Sequence, residues 1–265
     1  PQTTRNRILG IVTTEEMQIA FTDTPGIHKP STELQRRMVN ASYDAAKGVD
    51  CVIFMTTPLK SVLKGDQIIL DNLKNTKVPV FLVINKVDQL KRFNDIDLTI
   101  HLYKDLYPFA GVFPISVLED KNMDVLLDTI RQVLPFGPKL YPDDMLSDHP
   151  ERFLIGELIR EKILDATKQE IPHSIAVVVD SMKPCEDNPD YTDIYATIYV
   201  ERDSQKKIII GKDGDLIKTV KQRAIHDIRL LLGKKVHLDL WVKVKKDWKD
   251  RPDDLRILGY STDNF

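Results

Sequence analysis

Three short polar segments, each directly after an apolar run, carry the clearest chemistry in this 265-residue chain. Asp23-Thr-Pro-Gly26 follows Met17-Gln-Ile-Ala-Phe-Thr22. A carboxylate so placed can hold a magnesium ion through water, because a hard cation prefers oxygen ligands. Gly26 offers a backbone N–H with no side chain in the way, suited to an oxygen of a terminal phosphate, with Thr24, Pro25 and Ile27 flanking the same contact. Asn85-Lys-Val-Asp88 follows Val78-Pro-Val-Phe-Leu-Val-Ile84. The Asp88 carboxylate can accept two hydrogen bonds from the N1–H and exocyclic amine of a guanine. Adenine lacks that donor pair and would leave a buried acceptor unsatisfied, so sites built this way discriminate by about 10⁴ or more. The Lys86 stem can lie along the base plane, Val87 continues the loop, and Asn85 can brace it. Ile115-Ser-Val117 ends a further apolar run, and the N–H groups there, including those of Ser116 and Val117, could reach the guanine oxygen. Upstream, Pro1-Gln-Thr-Thr-Arg5 contains Thr4, whose hydroxyl can ligate magnesium while its backbone senses a phosphate. Taken singly, these are a Pro-Gly turn, a strand-to-helix turn and polar loops. Their common position after successive strands, in this order, makes the set far more specific than any member.

A second group of residues suits a different ligand. Ile210-Gly-Lys-Asp-Gly214 lies between two helix-like stretches. Glycines there let phosphates approach a helix N-terminus, whose free N–H groups favour anions. Lys206, Lys207 and Lys212 add positive charge, Lys218, Lys221 and Arg229 share the exposed side of the following helix, and Asp213 opposes phosphate. From Arg202 to Arg251 there are 15 Lys/Arg against 7 Asp/Glu, an excess of eight in a chain whose net charge is −2. That asymmetry points to one face that meets a polyanion. The arrangement is similar to the Gly-x-x-Gly loop with which KH domains clamp about four nucleotides of single-stranded RNA backbone. Replacing Gly211 and Gly214 together by aspartate is expected to abolish RNA binding and leave the fold intact. Lys245-Lys-Asp-Trp-Lys249 reads either as an RNA-facing tail or as a tryptophan anchor closing the domain.

The elements that must position these residues follow from periodicity. Arg7–Val12 and Met17–Thr22 read as a hairpin; Cys51–Met55, Val78–Ile84 and Gly111–Ile115 read as buried strands. Helical stretches are expected near residues 31–47, 65–74, 96–106 and 122–134. Continuous apolar strands alternating with helices predict a mostly parallel sheet covered on both faces, with its ligand at the carboxyl ends of the strands. Residues 135–151 contain four prolines and read as a stiff connector. The remainder shows the order helix, strand, strand, helix, helix, strand: Phe153–Thr167, Ser174–Asp180, Ile194–Glu201, Ser204–Ile210, Asp215–Leu232 and Val236–Val244. The chain therefore divides into residues 1–134, a linker over 135–151, and residues 152–265.

Composition narrows the classes further. Hydrophobic content of 42% and charged content of 29% are those of an ordinary globular protein. No apolar run is long enough to span a bilayer, and the start carries no signal-peptide pattern. Cys51 and Cys185 lie far apart without metal-ligand spacing, and the six histidines suggest no ligand cluster. A reducing, cytosolic setting fits.

The whole chain resembles the translation-factor-like GTPases, and among them the Era family. The likeness rests on Pro1-Gln-Thr-Thr-Arg5, Asp23-Thr-Pro-Gly26, Asn85-Lys-Val-Asp88 and Pro114-Ile-Ser116, then on Ile159-Arg-Glu-Lys162, Val200-Glu-Arg-Asp-Ser-Gln-Lys-Lys207, Leu240-Trp-Val-Lys-Val-Lys245 and Leu258-Gly-Tyr260. The resemblance implies a P-loop-GTPase-like α/β domain followed by a type II KH domain of α+β class. It implies GTP/GDP and Mg2+ as ligands, hydrolysis of GTP, and action in ribosome assembly. The KH domain would bind the 3′ end of small-subunit ribosomal RNA in the 30S-type subunit. A monomeric cytoplasmic protein, peripherally associated with the inner face of the membrane, is also implied. The family's phosphate loop, G-x-x-x-x-G-K-[ST], is matched at none of the eleven glycines and is expected upstream of Pro1. The strand that holds it is missing with it, and without the loop this stretch of chain is expected to be inactive in hydrolysis. Val117 stands where the family usually has alanine. Ile27 stands where many GTPases carry a water-positioning glutamine, so slow turnover is expected. The competing reading is a nucleotide-free RNA-binding module with a degenerate GTPase domain. Retention of both phosphate-side and base-side residues favours the enzyme.

Overall fold

The structure is a computed structural model that describes residues 7–24, 32–45, 48–90, 94–167 and 174–260. Its N-terminal part opens with an antiparallel hairpin, β1 (Ile8–Thr13) and β2 (Gln18–Asp23), paired from Ile8 opposite Asp23 to Thr13 opposite Gln18. The turn is pinned by Thr14 N–H donating to the Met17 carbonyl at 2.8 Å and Met17 N–H donating to Thr14 Oγ1 at 3.1 Å. Helix α1 (Glu33–Ala45) follows, then three strands in the order β3 (Val52–Thr56), β4 (Val80–Ile84) and β5 (Gly111–Pro114), all parallel. Helices α2 (Lys64–Leu73), α3 (Asn94–Lys104) and α4 (Met123–Val133) complete this half.

Every residue of β4 is buried, and its alternation explains why the run is uninterrupted. Leu82 and Ile84 face one core with Phe54, Leu70 and Tyr103. Phe81 and Val83 face the opposite core with Ile115, Leu126 and Ile130. A strand covered on both sides cannot alternate apolar with polar. The parallel sheet and the hairpin are both as expected; among the described residues the hairpin is a separate two-stranded sheet, packed by Ile19 and Phe21 onto the second core.

Residues 135–150 form no helix or strand, and they are tied to the hairpin. Gln18 clamps them from both ends of its amide: Nε2 donates to the Tyr141 carbonyl at 2.9 Å, and Oε1 accepts from the N–H groups of Leu140 and Tyr141 at 2.8 and 2.9 Å. Ile11 N–H adds a bond to the Leu146 carbonyl at 2.9 Å.

The C-terminal part contains α5 (Glu151–Thr167), β6 (Ala176–Pro184), β7 (Tyr191–Val200), α6 (Asp203–Ile210), α7 (Asp215–Leu232) and β8 (Lys235–Val244), followed by α8 (Pro252–Ile257). Its sheet runs β6-β7-β8, with β6 antiparallel and β8 parallel to β7. Thr192, Ile194, Ala196, Ile198 and Val200 turn one face of β7 inward, and Ile194, Ala196, Ile198 and Val200 join the core built with α5 and α7. The first strand runs to Pro184, four residues past its expected end, with a register shift between Val179 and Ser181. Trp248 is fully buried, stacked on Tyr260 at 5.9 Å between ring centroids, so the anchor reading holds and the RNA-facing tail does not. Its cluster includes Leu34 and Met38 of α1 with Leu255, Leu258 and Ala176, which joins the two halves of the chain. Arg37 donates to the Tyr260 carbonyl at 2.9 Å, and Glu33 N–H donates to Asp250 Oδ1 at 3.2 Å, across the same junction.

Candidate nucleotide site and nucleic-acid interface

Parallel pairing brings three strand ends to one level: Thr56 lies opposite Ile84, and Ile84 opposite Pro114. The segments that follow β4 and β5 are therefore neighbours. Asn85 N–H donates to the Thr56 carbonyl at 2.8 Å, which holds the first residue of the motif to β3. Asn85 Oδ1 then accepts from Lys86 N–H at 2.7 Å and from Val117 N–H at 3.2 Å, stapling the two loops together. Lys86 adopts a left-handed conformation (φ 65°, ψ 35°), and its side chain is exposed at the site. Val87 is buried beneath the loop, its N–H bonded to the Ile115 carbonyl at 3.2 Å.

Asp88 is half-buried and held by its neighbour loop: the fully buried Ser116 hydroxyl donates to Asp88 Oδ1 at 2.6 Å. Ser116 Oγ in turn accepts from Glu119 N–H at 3.2 Å. A carboxylate so oriented keeps the lone pairs that are not facing Ser116 for a second ligand. This side-chain role for Ser116 is absent from the sequence reading, which uses only its backbone. The backbone N–H groups of this segment have partners within the chain. Ile115 N–H donates to the Ile84 carbonyl at 2.8 Å, Ser116 N–H to the Lys121 carbonyl at 3.2 Å, and Val117 N–H to Asn85. These contacts brace the loop in this structure.

Asp23 closes β2 with its side chain exposed, and Thr24 beside it is half-buried. Thr4, Pro25, Gly26 and Ile27, the remaining residues of the phosphate and magnesium side, lie outside the described residues. The described residues therefore define the base side of the site.

At the other end of the chain, Gln205 Oε1 accepts from the N–H groups of Glu201 and Arg202 at 2.9 and 3.0 Å and sets the start of α6. The helix ends at Ile210, and Gly211 (φ 75°, ψ 176°), Asp213 (φ 52°) and Gly214 (φ 77°, ψ 15°) turn the chain into α7. A Cβ on Gly211 would lie 2.8 Å from Leu216 Cβ and 2.9 Å from Leu216 N, so glycine is required by both space and backbone angle. Lys212 and Asp213 are exposed at the tip. Lys206, Lys207 and Lys212 make no ion pair among the described residues, which leaves their charge for an anion. Two other basic residues are engaged otherwise. Lys218 Nζ donates to the Asp213 carbonyl at 3.3 Å and lies 3.8 Å from Asp215, so it ties the loop to α7. Lys221 pairs with Asp239 of β8 at 3.0 Å while remaining on the exposed side of the helix.

A braced carboxylate at the end of a buried parallel strand, joined in one chain to a glycine-lined loop between two helices, defines a guanine-nucleotide-binding α/β domain coupled to a KH-type domain. Known proteins agree. A family model described as a 50S ribosome-binding GTPase matches residues 1–86, and a KH domain model matches residues 170–249. Two solved structures, a variant of Aquifex aeolicus Era bound to GDP.AlF4− and Era in complex with MgGDPNP and nucleotides 1506–1542 of 16S ribosomal RNA, are each similar at a TM-score of 0.90 and 38% identity. Each match covers 98% of this chain and 88% of the other. The chain belongs to the Era family of GTPases.

Proposed function

We propose that this protein binds and hydrolyses GTP and binds the 3′ end of small-subunit ribosomal RNA during assembly of that subunit. Asp88, fixed by Ser116, is the observation that carries the nucleotide half: an oriented acceptor beside Lys86 matches the donor edge of guanine and rejects adenine. Guanine nucleotides and nucleotides 1506–1542 of 16S rRNA accompany the similar Era structures, which supports the reading for this chain. On the phosphate side, Asp23 would hold Mg2+ through water, with Thr4 and Gly26 as its partners; the donor set is all oxygen and backbone N–H, as Mg2+ and phosphate require. Bound Mg2+ would neutralise charge on the phosphates. The chain's own contribution is to select the base through Asp88 and Asn85 and to brace the site.

For RNA, Gly211 and Gly214 let the backbone approach α7, whose N-terminal N–H groups and nearby Lys212 favour phosphate. Coupling between the halves has a physical route. Helix α1, the next described element after Asp23 and Thr24, is seated on Trp248, Leu255 and Tyr260. A change in nucleotide that moves α1 must therefore move or strain the KH end. In this reading the protein works in the cytoplasm as a monomer. Contact with the inner membrane face would be peripheral, since no described helix is long and apolar enough to cross a membrane.

The test uses the chain extended upstream with a phosphate loop. Labelled GTP should be displaced by GDP and not by ATP, and the affinity for a single-stranded RNA of the small-subunit 3′ end should differ between GTP- and GDP-loaded protein. Equal competition by ATP sinks the nucleotide assignment. RNA affinity that ignores the nucleotide sinks the coupling.

A further inference from the structure

The outward face of the C-terminal sheet carries a cluster that neither nucleotide nor RNA binding explains. In β7 and β8, Asp193 is paired with His237 and Tyr191 with Lys235. Cys185 follows β6 and remains in register, its N–H donating to the Tyr191 carbonyl at 2.9 Å. Directly opposed residues of a sheet share a face, as do residues two apart on one strand. Cys185, Tyr191, Asp193, Lys235 and His237 therefore all project from the same side, away from α5 and α7. The cysteine sulfur, an Asp193 carboxylate oxygen and a His237 ring nitrogen all lie within 4.8 Å of one another. His237 Nδ1 is 3.0 Å from Asp193 Oδ1, and the ring is stacked on Tyr191 with centroids 4.5 Å apart and planes at 22°.

We propose that Cys185, Asp193 and His237 form a zinc site with one open position. A thiolate, an imidazole and a carboxylate are the three ligand types that Zn2+ accepts, and three protein ligands plus water are the pattern of its open sites. With metal–ligand distances of about 2.0–2.3 Å, tetrahedral ligand atoms stand roughly 3.3–3.6 Å apart. The Asp193–His237 pair is already near that spacing, and the sulfur of the half-buried Cys185 lies within 4.8 Å of both. Asp193 and His237 come from two strands whose register is fixed by main-chain bonds, and Cys185 from the turn after β6, so the strand pair is held in place before metal arrives. The set excludes Mg2+ and Ca2+, which take oxygen ligands.

Binding follows ordinary acid–base balance. In the metal-free protein Nδ1 carries the proton it donates to Asp193, because a carboxylate only accepts. Zn2+ takes the Nδ1 lone pair, so the ring proton resides on Nε2, and the thiol proton leaves to solvent as the Zn–S bond forms. No oxidant or reductant is involved. The result is a cross-link from the turn after β6 to β8 at the end of the sheet remote from Trp248, where it stiffens the edge of the KH domain.

The experiment is a titration of the whole chain with Co2+ as a spectroscopic substitute and with Zn2+ as competitor. We expect one equivalent bound, a thiolate-to-cobalt charge-transfer band, and loss of that band on adding Zn2+. Cys185→Ser should abolish the band, whereas Cys51→Ser should leave it unchanged. His237→Gln and Asp193→Asn should each weaken Zn2+ binding at least tenfold, with circular dichroism confirming that each variant is folded. Zn2+ should also raise the melting temperature of the parent chain and not that of Cys185→Ser. Absence of a thiolate band, its survival in Cys185→Ser, or Zn2+ affinity indifferent to His237→Gln would overturn the site.

Discussion

Placing a charge at Gly214 tests the RNA clamp more cleanly than the paired aspartates expected from sequence. The two loop glycines differ in what they tolerate. Gly211 sits at φ 75° and ψ 176°, a region open essentially only to glycine, and an added Cβ meets Leu216 at 2.8–2.9 Å. Any side chain there combines about 1–3 kcal/mol of backbone strain with overlap against backbone, so Gly211→Ala should lower the melting temperature by several degrees. An aspartate at Gly211 would therefore disturb the loop itself, and loss of RNA binding would say little about charge. Gly214 is at φ 77° and ψ 15°, with nothing nearer to a Cβ than Lys218 Cε at 3.8 Å. Aspartate and asparagine enter that left-handed region more easily than other side chains, at a cost of about 1 kcal/mol. The electrostatic effect can then be isolated. A carboxylate about 5 Å from a bound phosphate, at an effective dielectric of about 40, repels it by about 1.7 kcal/mol. That is roughly a 20-fold loss for one phosphate and a few hundredfold for two, taking tenfold per 1.4 kcal/mol. Fluorescence anisotropy with a short single-stranded RNA should show this loss for Gly214→Asp and a change of less than about threefold for Gly214→Asn. Equal affinities for the two variants, both folded, would refute a phosphate contact at this loop.

Three other outcomes follow from the same geometry. Asp88→Asn, in a chain supplied with a phosphate loop, should weaken GTP by about 3 kcal/mol, roughly a hundredfold, because two charge-assisted bonds to the base are lost; GTP affinity equal to that of the parent protein in a nucleotide titration would remove Asp88 from the site. Lys212→Gln should weaken RNA binding evenly across sequences and flatten the plot of log affinity against log salt by about 0.7, the share of one phosphate contact on a single strand; an unchanged slope would leave Lys212 without that role. Trp248→Ala should destabilise the fold by about 3–5 kcal/mol, as expected for emptying a fully buried indole site, and free α1 from the C-terminal end; a thermal unfolding shift equivalent to less than about 1 kcal/mol would show that the junction is not packed as described.

Much of this was legible before any coordinates because the signals are local. The run Val80–Ile84 declares a strand buried on both faces, and a polar motif directly after such a strand marks the ligand-facing edge. Likewise, glycines between two amphipathic stretches announce a turn into a helix N-terminus. Sequence left a residue's partner open where a side chain had two destinations that periodicity cannot separate. Lys221 lies on α7, and only the position of Asp239 on β8 shows that the two form an exposed ion pair. Trp248 in a basic segment reads as well for RNA contact as for packing until Tyr260 and α1 are seen against it.

By itself, the order of residues determined the two-part architecture, the base-recognising motif and the phosphate-clamping loop, because each is written in consecutive positions whose backbone geometry is set nearby. The folded chain alone decided which partners those residues meet. Ser116 reaches Asp88 because parallel register levels two strand ends. Cys185, Asp193 and His237 converge because β7 pairs with its neighbour β6 on one side and, across a long separation in the chain, with β8 on the other. Residues distant in sequence are brought together by packing and hydrogen-bond register, and neither is encoded in the spacing of the residues themselves.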